Sequence, residues 1–220
     1  MKKESRQMAI SLSAILDGRD YIIVHHCHHV RRFTEVLLEK IVQFCPEYNL
    51  TKEDCEMIEY AALLHDVGKI EIPGKILQKP GRLTEDEEEM VQTHTRKGKK
   101  IFENLIEILK EEADRPFLEC CAQVCMSHHE RYDGSGYPQG LVGEEIPIAA
   151  QIVGLADAYD DLVSERIYKF AYTKEEAFDK ILEGEGGAFS PRLLEIFQIV
   201  RMELEEALEQ EGAIIEAGGR

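Results

Sequence analysis

The sequence of 220 residues has no tryptophan, no Cys-x-x-Cys pair and no long apolar run. A membrane-spanning helix needs roughly 18 or more consecutive apolar residues, so the sequence argues against a membrane protein. Basic side chains are also scarce, because 26 lysines and arginines stand against 43 aspartates and glutamates, for a formal charge of −17. This balance argues against nucleic-acid polymers and anionic membranes as partners. Taken alone, it also argues against a phosphate-bearing substrate.

The six cysteines give no sign of a disulfide framework. They are scattered along the chain as Cys27, Cys45, Cys55, Cys120, Cys121 and Cys125. The first 20 residues are polar apart from a short apolar patch at residues 8–15, which is not the pattern of a signal peptide. We therefore expect reduced thiols and a cytoplasmic location. With 44% hydrophobic and 31% charged residues, the composition is typical of a globular protein.

The apolar pattern predicts an all-α protein. Apolar residues recur with a helical period in several segments, and no segment shows the alternating period of a long strand. Thr51 and Thr84 are expected to cap helices, because each is followed by an acidic first turn. The predicted helices are Val30–Phe44, one that begins at Thr51, Leu83–Ile101, Pro116–Glu130, Pro147–Leu162, Thr173–Leu182 and Pro191–Leu208.

Three segments rich in glycine and proline interrupt the helices, at residues 67–82, 133–147 and 183–191. None of them has the length or composition of a linker between two domains. We therefore expect one compact domain over residues 21–205. A short N-terminal extension, residues 1–20, precedes it, and an acidic tail, residues 206–220, follows it.

Histidines and carboxylates are concentrated at the ends of apolar helices. His65 and Asp66 end one such helix, His128 and His129 are adjacent, and Asp157 lies within another apolar segment. Buried charge that has no partner is costly, and a divalent cation would satisfy all of these groups. Imidazole together with carboxylate suits zinc, manganese or iron. The pattern therefore indicates a metal centre.

These residues resemble the motifs of the HD-GYP family of metal-dependent phosphodiesterases, which is named for a His-Asp pair and a Gly-Tyr-Pro loop. The resemblance covers roughly residues 21–200. Its motifs appear in order as His65-Asp66, Lys69, His94 with Gly98, His128-His129-Glu130, Gly136-Tyr137-Pro138, Asp157 and Phe189-Ser190-Pro191. It implies a compact multi-helix bundle with a metal centre in its core. It also implies hydrolysis of cyclic di-GMP, or a related cyclic dinucleotide, to pGpG, and it leaves open whether pGpG is cleaved further to GMP.

The resemblance also implies a set of metal ligands. These are His26, His65, Asp66, His94, His128, His129 and Asp157. His26 is the best match in register for the first ligand, with His25, His28 and His29 as the alternatives. Some family members hold a third metal through a glutamate one turn earlier, where this chain has Ile22, so we expect two divalent ions. Iron or manganese is expected, with zinc, nickel or magnesium as alternatives, and Glu130 and Asp133 are further candidate neighbours.

The implied mechanism uses a hydroxide held between two metals that Asp66 bridges. Lys69 follows Asp66 by one helical turn and is expected to neutralise a phosphate oxygen, so both residues are assigned to catalysis. Tyr137, Arg166 and Lys169 fall on positions that contact the nucleotide in the family. Departures from the family pattern are Asp161, Ile167 and Ser190, and none of them removes an expected metal ligand.

Two other readings compete with this one. The first is a different HD-superfamily phosphohydrolase that acts on nucleoside triphosphates or alarmones, and the second is a catalytically silent signalling module. The histidine pair and the Gly-Tyr-Pro loop argue against the first, and the full ligand set argues against the second. Cyclic GMP-AMP remains an alternative to cyclic di-GMP as the substrate. Regulation by a partner protein or by homodimerisation is compatible with the sequence.

Overall fold

The computed structural model describes residues 1–17, 21–109, 114–164 and 171–208, without the side chains of residues 15–17 and 21–25. Over these ranges the chain is helical and contains no strand, which confirms the all-α prediction. The helices are α1 (Lys3–Asp17), α2 (Tyr21–Phe44), α3 (Lys52–Ala62), α4 (Gly74–Leu77), α5 (Glu85–Gln92), α6 (His94–Leu109), α7 (Arg115–Ser127), α8 (Ile148–Val163), α9 (Lys174–Leu182) and α10 (Pro191–Ile199). Residues 201–208 are also helical.

Both predicted threonine caps are confirmed. The backbone N–H of Asp54 donates to Thr51 Oγ1 at 3.1 Å, and the Asp54 carboxylate accepts the N–H of Thr51 at 2.8 Å. Thr84 and Glu87 form the same reciprocal pair at the start of α5. These pairs satisfy N–H groups that have no partner within the helix, and they fix where α3 and α5 begin.

Two predicted helices are interrupted in the structure. The segment Leu83–Ile101 forms two helices, because the chain turns at Thr93 between α5 and α6. The Thr93 hydroxyl donates to the Met90 carbonyl at 2.6 Å, which gives the backbone a local alternative to continued helix. The segment Pro191–Leu208 is likewise interrupted by a turn at Val200. Apolar periodicity continued through both turns, so the sequence pattern did not reveal them.

Helix α8 lies at the centre of the molecule and is buried along nearly its whole length. It packs against α2, α7 and α9, while α2 also contacts α1, α3 and α10. Aromatic side chains such as Phe33, Tyr159 and Phe197 fill the space between these helices. None of the described helices combines the length and the apolar character needed to cross a membrane. The functional residues therefore lie on a scaffold of packed helices.

Candidate metal centre

Residues from five separate segments meet beside the central helix. His26 comes from α2, His65 and Asp66 follow α3, His94 begins α6, His128 and His129 follow α7, and Asp157 lies in α8. All are buried except His129, which is partly exposed. The structure therefore brings together all seven residues that the sequence predicted as metal ligands.

The carboxylate of Asp66 faces two groups of imidazoles at once. Its Oδ1 atom lies 3.2 Å from His94 Nε2 and 3.8 Å from His128 Nε2. Its Oδ2 atom lies 3.4 Å from His65 Nε2 and 3.8 Å from His26 Nε2. A carboxylate in this position can coordinate a different cation with each oxygen.

Asp157 provides a second carboxylate between the two groups. Its Oδ1 atom lies 3.2 Å from His26 Nε2 and 3.6 Å from His65 Nε2. Its Oδ2 atom lies 4.0 Å from His129 Nδ1. The cluster thus contains one group around His26 and His65 and a second group around His94, His128 and His129.

Hydrogen bonds to backbone carbonyls, on the side away from the cluster, fix the orientation of three imidazoles. The Nδ1–H groups of His65, His94 and His128 donate to the carbonyls of Ala62, Val91 and Val124 at 2.7, 2.7 and 2.9 Å. With Nδ1 occupied by a proton, each of these rings in its neutral form presents the Nε2 lone pair to the cluster. The backbone of each local turn therefore selects the tautomer that can coordinate a metal.

The converging atoms fit a metal better than they fit one another. The Nε2 atoms of His94 and His128 lie 3.4 Å apart, and both present lone pairs. Asp66 Oδ1 is buried and accepts no hydrogen bond, although His94 Nε2 is close by. Two facing acceptors repel each other unless a cation lies between them. The ligand atoms of Asp66, His94, His128 and His129 all lie within 4.8 Å of one another, so the cluster is able to hold a metal ion.

The pKa shifts in the cluster indicate which of its groups are charged and which are neutral. Burial opposes ionisation of Asp66, yet Lys69 and His65 hold the pKa of its carboxyl well below the usual range. Burial also opposes protonation of His65, but Asp66 and Asp157 raise the pKa of its imidazole to about 10. In contrast, burial together with His65 and His94 lowers the pKa of His128 to about 3. The two carboxylates therefore attract positive charge, while His128 stays in the neutral form that binds metals.

Lys69 and a close backbone contact position the His-Asp pair. The Lys69 ammonium contacts Asp66 Oδ2, as expected from their spacing of one turn. Between them, Gly68 presses against α6, since a Cβ atom at this position would lie 1.9 Å from the His94 carbonyl oxygen. Only glycine permits this approach, and the approach brings Asp66 beside His94.

The Gly-Tyr-Pro loop covers one side of the cluster. The Tyr137 ring stacks on the His129 imidazole with 4.7 Å between centroids, and the Tyr137 N–H donates to the His129 carbonyl at 3.2 Å. Glu130 does not face the cluster, because its two oxygens accept the N–H groups of Gln139 and Leu141 at 2.7 and 3.0 Å. Asp133 accepts a bond from the Ser135 N–H at the exposed surface. In the structure the Glu130 carboxylate therefore holds the loop, and neither Glu130 nor Asp133 is among the described groups whose ligand atoms converge.

Some predicted residues lie outside the described part of the chain, and one alternative ligand has a different partner. Arg166 and Lys169 lie outside the described residues, as does the side chain of His25. Among the alternatives for the first ligand, His29 does not face the cluster, because its Nδ1–H donates to Asp160 behind the site. Among the described side chains of α2, His26 is the histidine whose Nε2 atom lies close to Asp66 and Asp157.

Two acidic residues near the cluster were not identified from the sequence. Asp160 is fully buried and accepts a hydrogen bond from His26 Nδ1–H at 2.7 Å. Asp161 offers an oxygen within 4.8 Å of ligand atoms of His26 and Asp157. The rule that an acidic residue in an apolar helix must be paired, which drew attention to Asp157, applies equally to Asp160.

Comparison with known proteins gives a family match over most of the chain. The family described as "HD domain" matches residues 20–193. A cyclic di-GMP phosphodiesterase of Vibrio cholerae is 37% identical over 90% of this chain and 40% of its own length. The cyclic di-GMP phosphodiesterase response regulator RpfG of Xanthomonas campestris is 44% identical over 73% of this chain and 40% of its own length. The chain thus spans about 40% of the length of these curated relatives.

The fold also matches a solved structure. A crystal structure of a cyclic GMP-AMP specific phosphodiesterase of V. cholerae, V-cGAP3, superposes with a TM-score of 0.57 at 19% identity. The match covers 94% of this chain and 50% of that protein. At this level of identity the likeness concerns the fold, in agreement with the arrangement of helices described above.

Proposed function

Because the chain belongs to the HD domain family, we propose that it is a metal-dependent phosphodiesterase that hydrolyses cyclic di-GMP to pGpG and further to GMP. The observation that carries this proposal is the position of Asp66, whose two oxygens face two separate groups of imidazoles. The curated relatives support the choice of substrate, since both bear the name cyclic di-GMP phosphodiesterase.

The proposed cofactors are two divalent transition-metal ions, with iron or manganese as the first choice. His26, His65 and Asp157 would hold one ion, His94, His128 and His129 the other, and Asp66 would contribute one oxygen to each. When bound, such ions supply Lewis acidity and lower the pKa of a coordinated water, which provides a nucleophile near neutral pH. The mixed nitrogen and oxygen donor set suits iron and manganese, and it also accepts zinc or nickel.

The remaining residues of the site act on the substrate. The Lys69 ammonium lies beside Asp66 at the edge of the cluster, where it would stabilise negative charge on a phosphate oxygen. Tyr137, stacked on His129, would form one wall of the nucleotide site. Arg166 and Lys169 are proposed as further contacts to the nucleotide on the basis of their positions in the sequence.

A second candidate substrate is cyclic GMP-AMP, because a curated relative named 3'3'-cGAMP-specific phosphodiesterase 2, from Vibrio cholerae, is 32% identical over 89% of this chain. The two cyclic dinucleotides carry the same phosphodiester linkage and differ in one base. A site built from metals and Lys69 would cleave either of them, so the preference depends on groups that contact the bases.

The test is a substrate panel with protein loaded anaerobically with Fe²⁺ or Mn²⁺. Cyclic di-GMP, cyclic GMP-AMP, pGpG and GTP are each incubated with the protein, and the products are separated by liquid chromatography. We expect cyclic di-GMP to disappear with the formation of pGpG and GMP, and His65→Ala to abolish this turnover. Cleavage of mononucleotides alone would indicate a different phosphohydrolase, and metal binding without any turnover would indicate a silent signalling module.

The cellular setting is proposed on more general grounds. We propose a cytoplasmic location, because a bacterial second messenger such as cyclic di-GMP is a cytoplasmic substrate. A regulatory protein or a second copy of the chain is the proposed macromolecular partner. Residues 21–205 remain the proposed catalytic domain, although α1 packs against α2 and α3 rather than extending away from them.

A further inference from the structure

Asp160 lies behind the metal centre, fully buried between two histidines of α2. Its Oδ2 atom accepts the His26 Nδ1–H at 2.7 Å, and its Oδ1 atom accepts the His29 Nδ1–H at 2.8 Å. The Ser164 hydroxyl donates to the same Oδ1 atom at 2.9 Å. A buried carboxylate is tolerated when hydrogen bonds compensate for its lost hydration, and these three donors provide that compensation.

The contact matters because His26 is held differently from the other imidazoles of the cluster. His65, His94 and His128 each donate Nδ1–H to a backbone carbonyl three or four residues earlier in their own segment. His26 instead donates to a side chain on another helix, so its ring orientation depends on the packing of α2 against α8. An anionic acceptor also makes the imidazole a stronger donor to a metal than a carbonyl acceptor does.

We propose that Asp160, held in place by His29, is a positioning residue that sets the tautomer and orientation of His26. With its Nδ1–H directed at Asp160, His26 presents its Nε2 lone pair 3.2 Å from Asp157 Oδ1, where the first metal ion would bind. This role rests on the proposed metal-dependent function. It assigns to His29 a task distinct from coordination, namely to fix the second oxygen of the Asp160 carboxylate.

The central variant is Asp160→Asn, which keeps the size of the side chain and removes its charge. A carboxamide presents one acceptor and one donor, so it cannot accept N–H groups from both His26 and His29. We expect the affinity for one of two Mn²⁺ ions to fall about 10- to 100-fold, the range typical of lost outer-shell partners. The affinity for the second ion, near His94 and His128, should stay close to that of the wild type. Calorimetric titration with Mn²⁺ and elemental analysis measure both.

The matched control is Ser164→Ala. Ser164 donates a neutral hydroxyl to the same carboxylate oxygen as His29, and its removal leaves both imidazole bonds of Asp160 in place, so both Mn²⁺ affinities should remain close to wild-type values. His29→Ala provides a second variant should Asp160→Asn fail to fold. It leaves the bond between Asp160 and His26 in place but removes the imidazole donor to Oδ1, where only the Ser164 hydroxyl bond described above is left, and a loss of affinity smaller than that of Asp160→Asn is expected at the same ion.

A second readout separates positioning from general destabilisation. In metal-free protein, the ¹⁵N chemical shifts of the His26 ring report which nitrogen carries the proton. They are read at a pH high enough that the same spectra show the His26 ring in its neutral form. The wild type should show the Nδ1–H tautomer, and Asp160→Asn should shift the population toward Nε2–H. Folded Asp160→Asn protein with unchanged tautomer and unchanged Mn²⁺ affinity would overturn the proposal. Because this readout needs neither metal nor substrate, failure of the phosphodiesterase function would appear in the substrate panel instead.

Discussion

The ammonium group of Lys69 contacts the Oδ2 atom of Asp66, the oxygen that also faces His65 and His26. In the proposed site, a lysine in this position would compete with a metal ion for the same carboxylate oxygen, and it would also present a positive charge to an approaching phosphate group. Its two effects oppose each other, because the charge that would stabilise a transition state also weakens metal binding. This opposition can be measured.

Replacing Lys69 by methionine should separate the two effects. We expect Lys69→Met to bind Mn²⁺ at least as tightly as the wild type, since a competing cation has been removed from Asp66. Its kcat for cyclic di-GMP should nevertheless fall by roughly 10²- to 10³-fold, as when one electrostatic group aimed at a transition state is lost. Lys99→Met, on the surface of α6, is the matched control. A large loss of bound metal in Lys69→Met would contradict this assignment.

Replacing Asp66 by asparagine should disable both halves of the cluster. The side chain keeps its shape but loses the charge that two metal ions would share, so elemental analysis should find both ions depleted. Turnover should fall by at least about 10³-fold, because metal ions contribute several kcal/mol to such reactions and each 1.36 kcal/mol is a factor of ten. Asp179→Asn, at an exposed site on α9, serves as the control. Retention of both ions in Asp66→Asn would show that this residue does not bridge them.

Replacing Gly136 by alanine should displace the loop that carries Tyr137. A Cβ atom there would lie 2.3 Å from the Arg131 nitrogen and 2.5 Å from Glu130 Cα, so the backbone must move. Overpacking of this kind costs about 1–3 kcal/mol, and each kcal/mol lowers Tm by roughly 2–4 °C in a domain of this size. The KM for the cyclic dinucleotide should rise. Gly74→Ala is the control, because a Cβ atom at residue 74 meets nothing within 4 Å.

Replacing Glu130 by glutamine should weaken the attachment of the same loop at Gln139 and Leu141. The carboxylate accepts two backbone N–H bonds, and hydrogen bonds to charged groups are worth about 1.5–3 kcal/mol each. Glu130→Gln keeps one good acceptor, so we expect a drop in stability within that range and a higher KM. Metal content should not change, because Glu130 faces away from the cluster. Glu144→Gln, at an exposed glutamate of the same loop region, is the control, and loss of metal in Glu130→Gln alone would contradict the structure.

Local chemistry determines the helices well enough for the sequence to reveal them. Thr51 and Thr84 mark helix starts through contacts three residues away, which lie within any short window of sequence. The turns at Thr93 and Val200 were missed because they change the direction of the chain without interrupting its apolar period. Such turns are fixed by the packing of His94 and the last helices into the core, which a short window does not contain.

The resemblance to the HD-GYP family, read from the motifs, is confirmed by the comparisons. The motifs also supplied a candidate ligand set whose members meet in space. The partners behind the ligands were not predicted, because Asp160 and His26 are 134 positions apart and the Glu130 bonds span 9 and 11 positions of irregular loop, which follow no helical spacing. His29 shows the limit most clearly, since its spacing from His26 suggests an alternative ligand and only the packing of α2 on α8 reveals its bond to Asp160.

The net charge of the chain does not show where its acidic residues lie. Asp66, Asp157 and Asp160 are buried and paired with imidazoles, so they contribute little to the charge of the surface. Four further acidic residues, Glu85, Asp86, Glu87 and Glu88, lie at the start of α5, where they complement the positive end of the helix dipole. The overall negative charge is therefore not an argument against a phosphodiester substrate.

The wide separation of the cluster residues along the chain bears on how the protein matures. His26 and Asp160 are 134 positions apart, and the ligand set is incomplete until α8 has docked on α2. Ribosomes deliver N-terminal segments first, so His26 and His65 emerge long before Asp157 does. Metal uptake at the complete proposed site would therefore follow the synthesis of α8. The metal ions would act late in folding rather than direct its early steps.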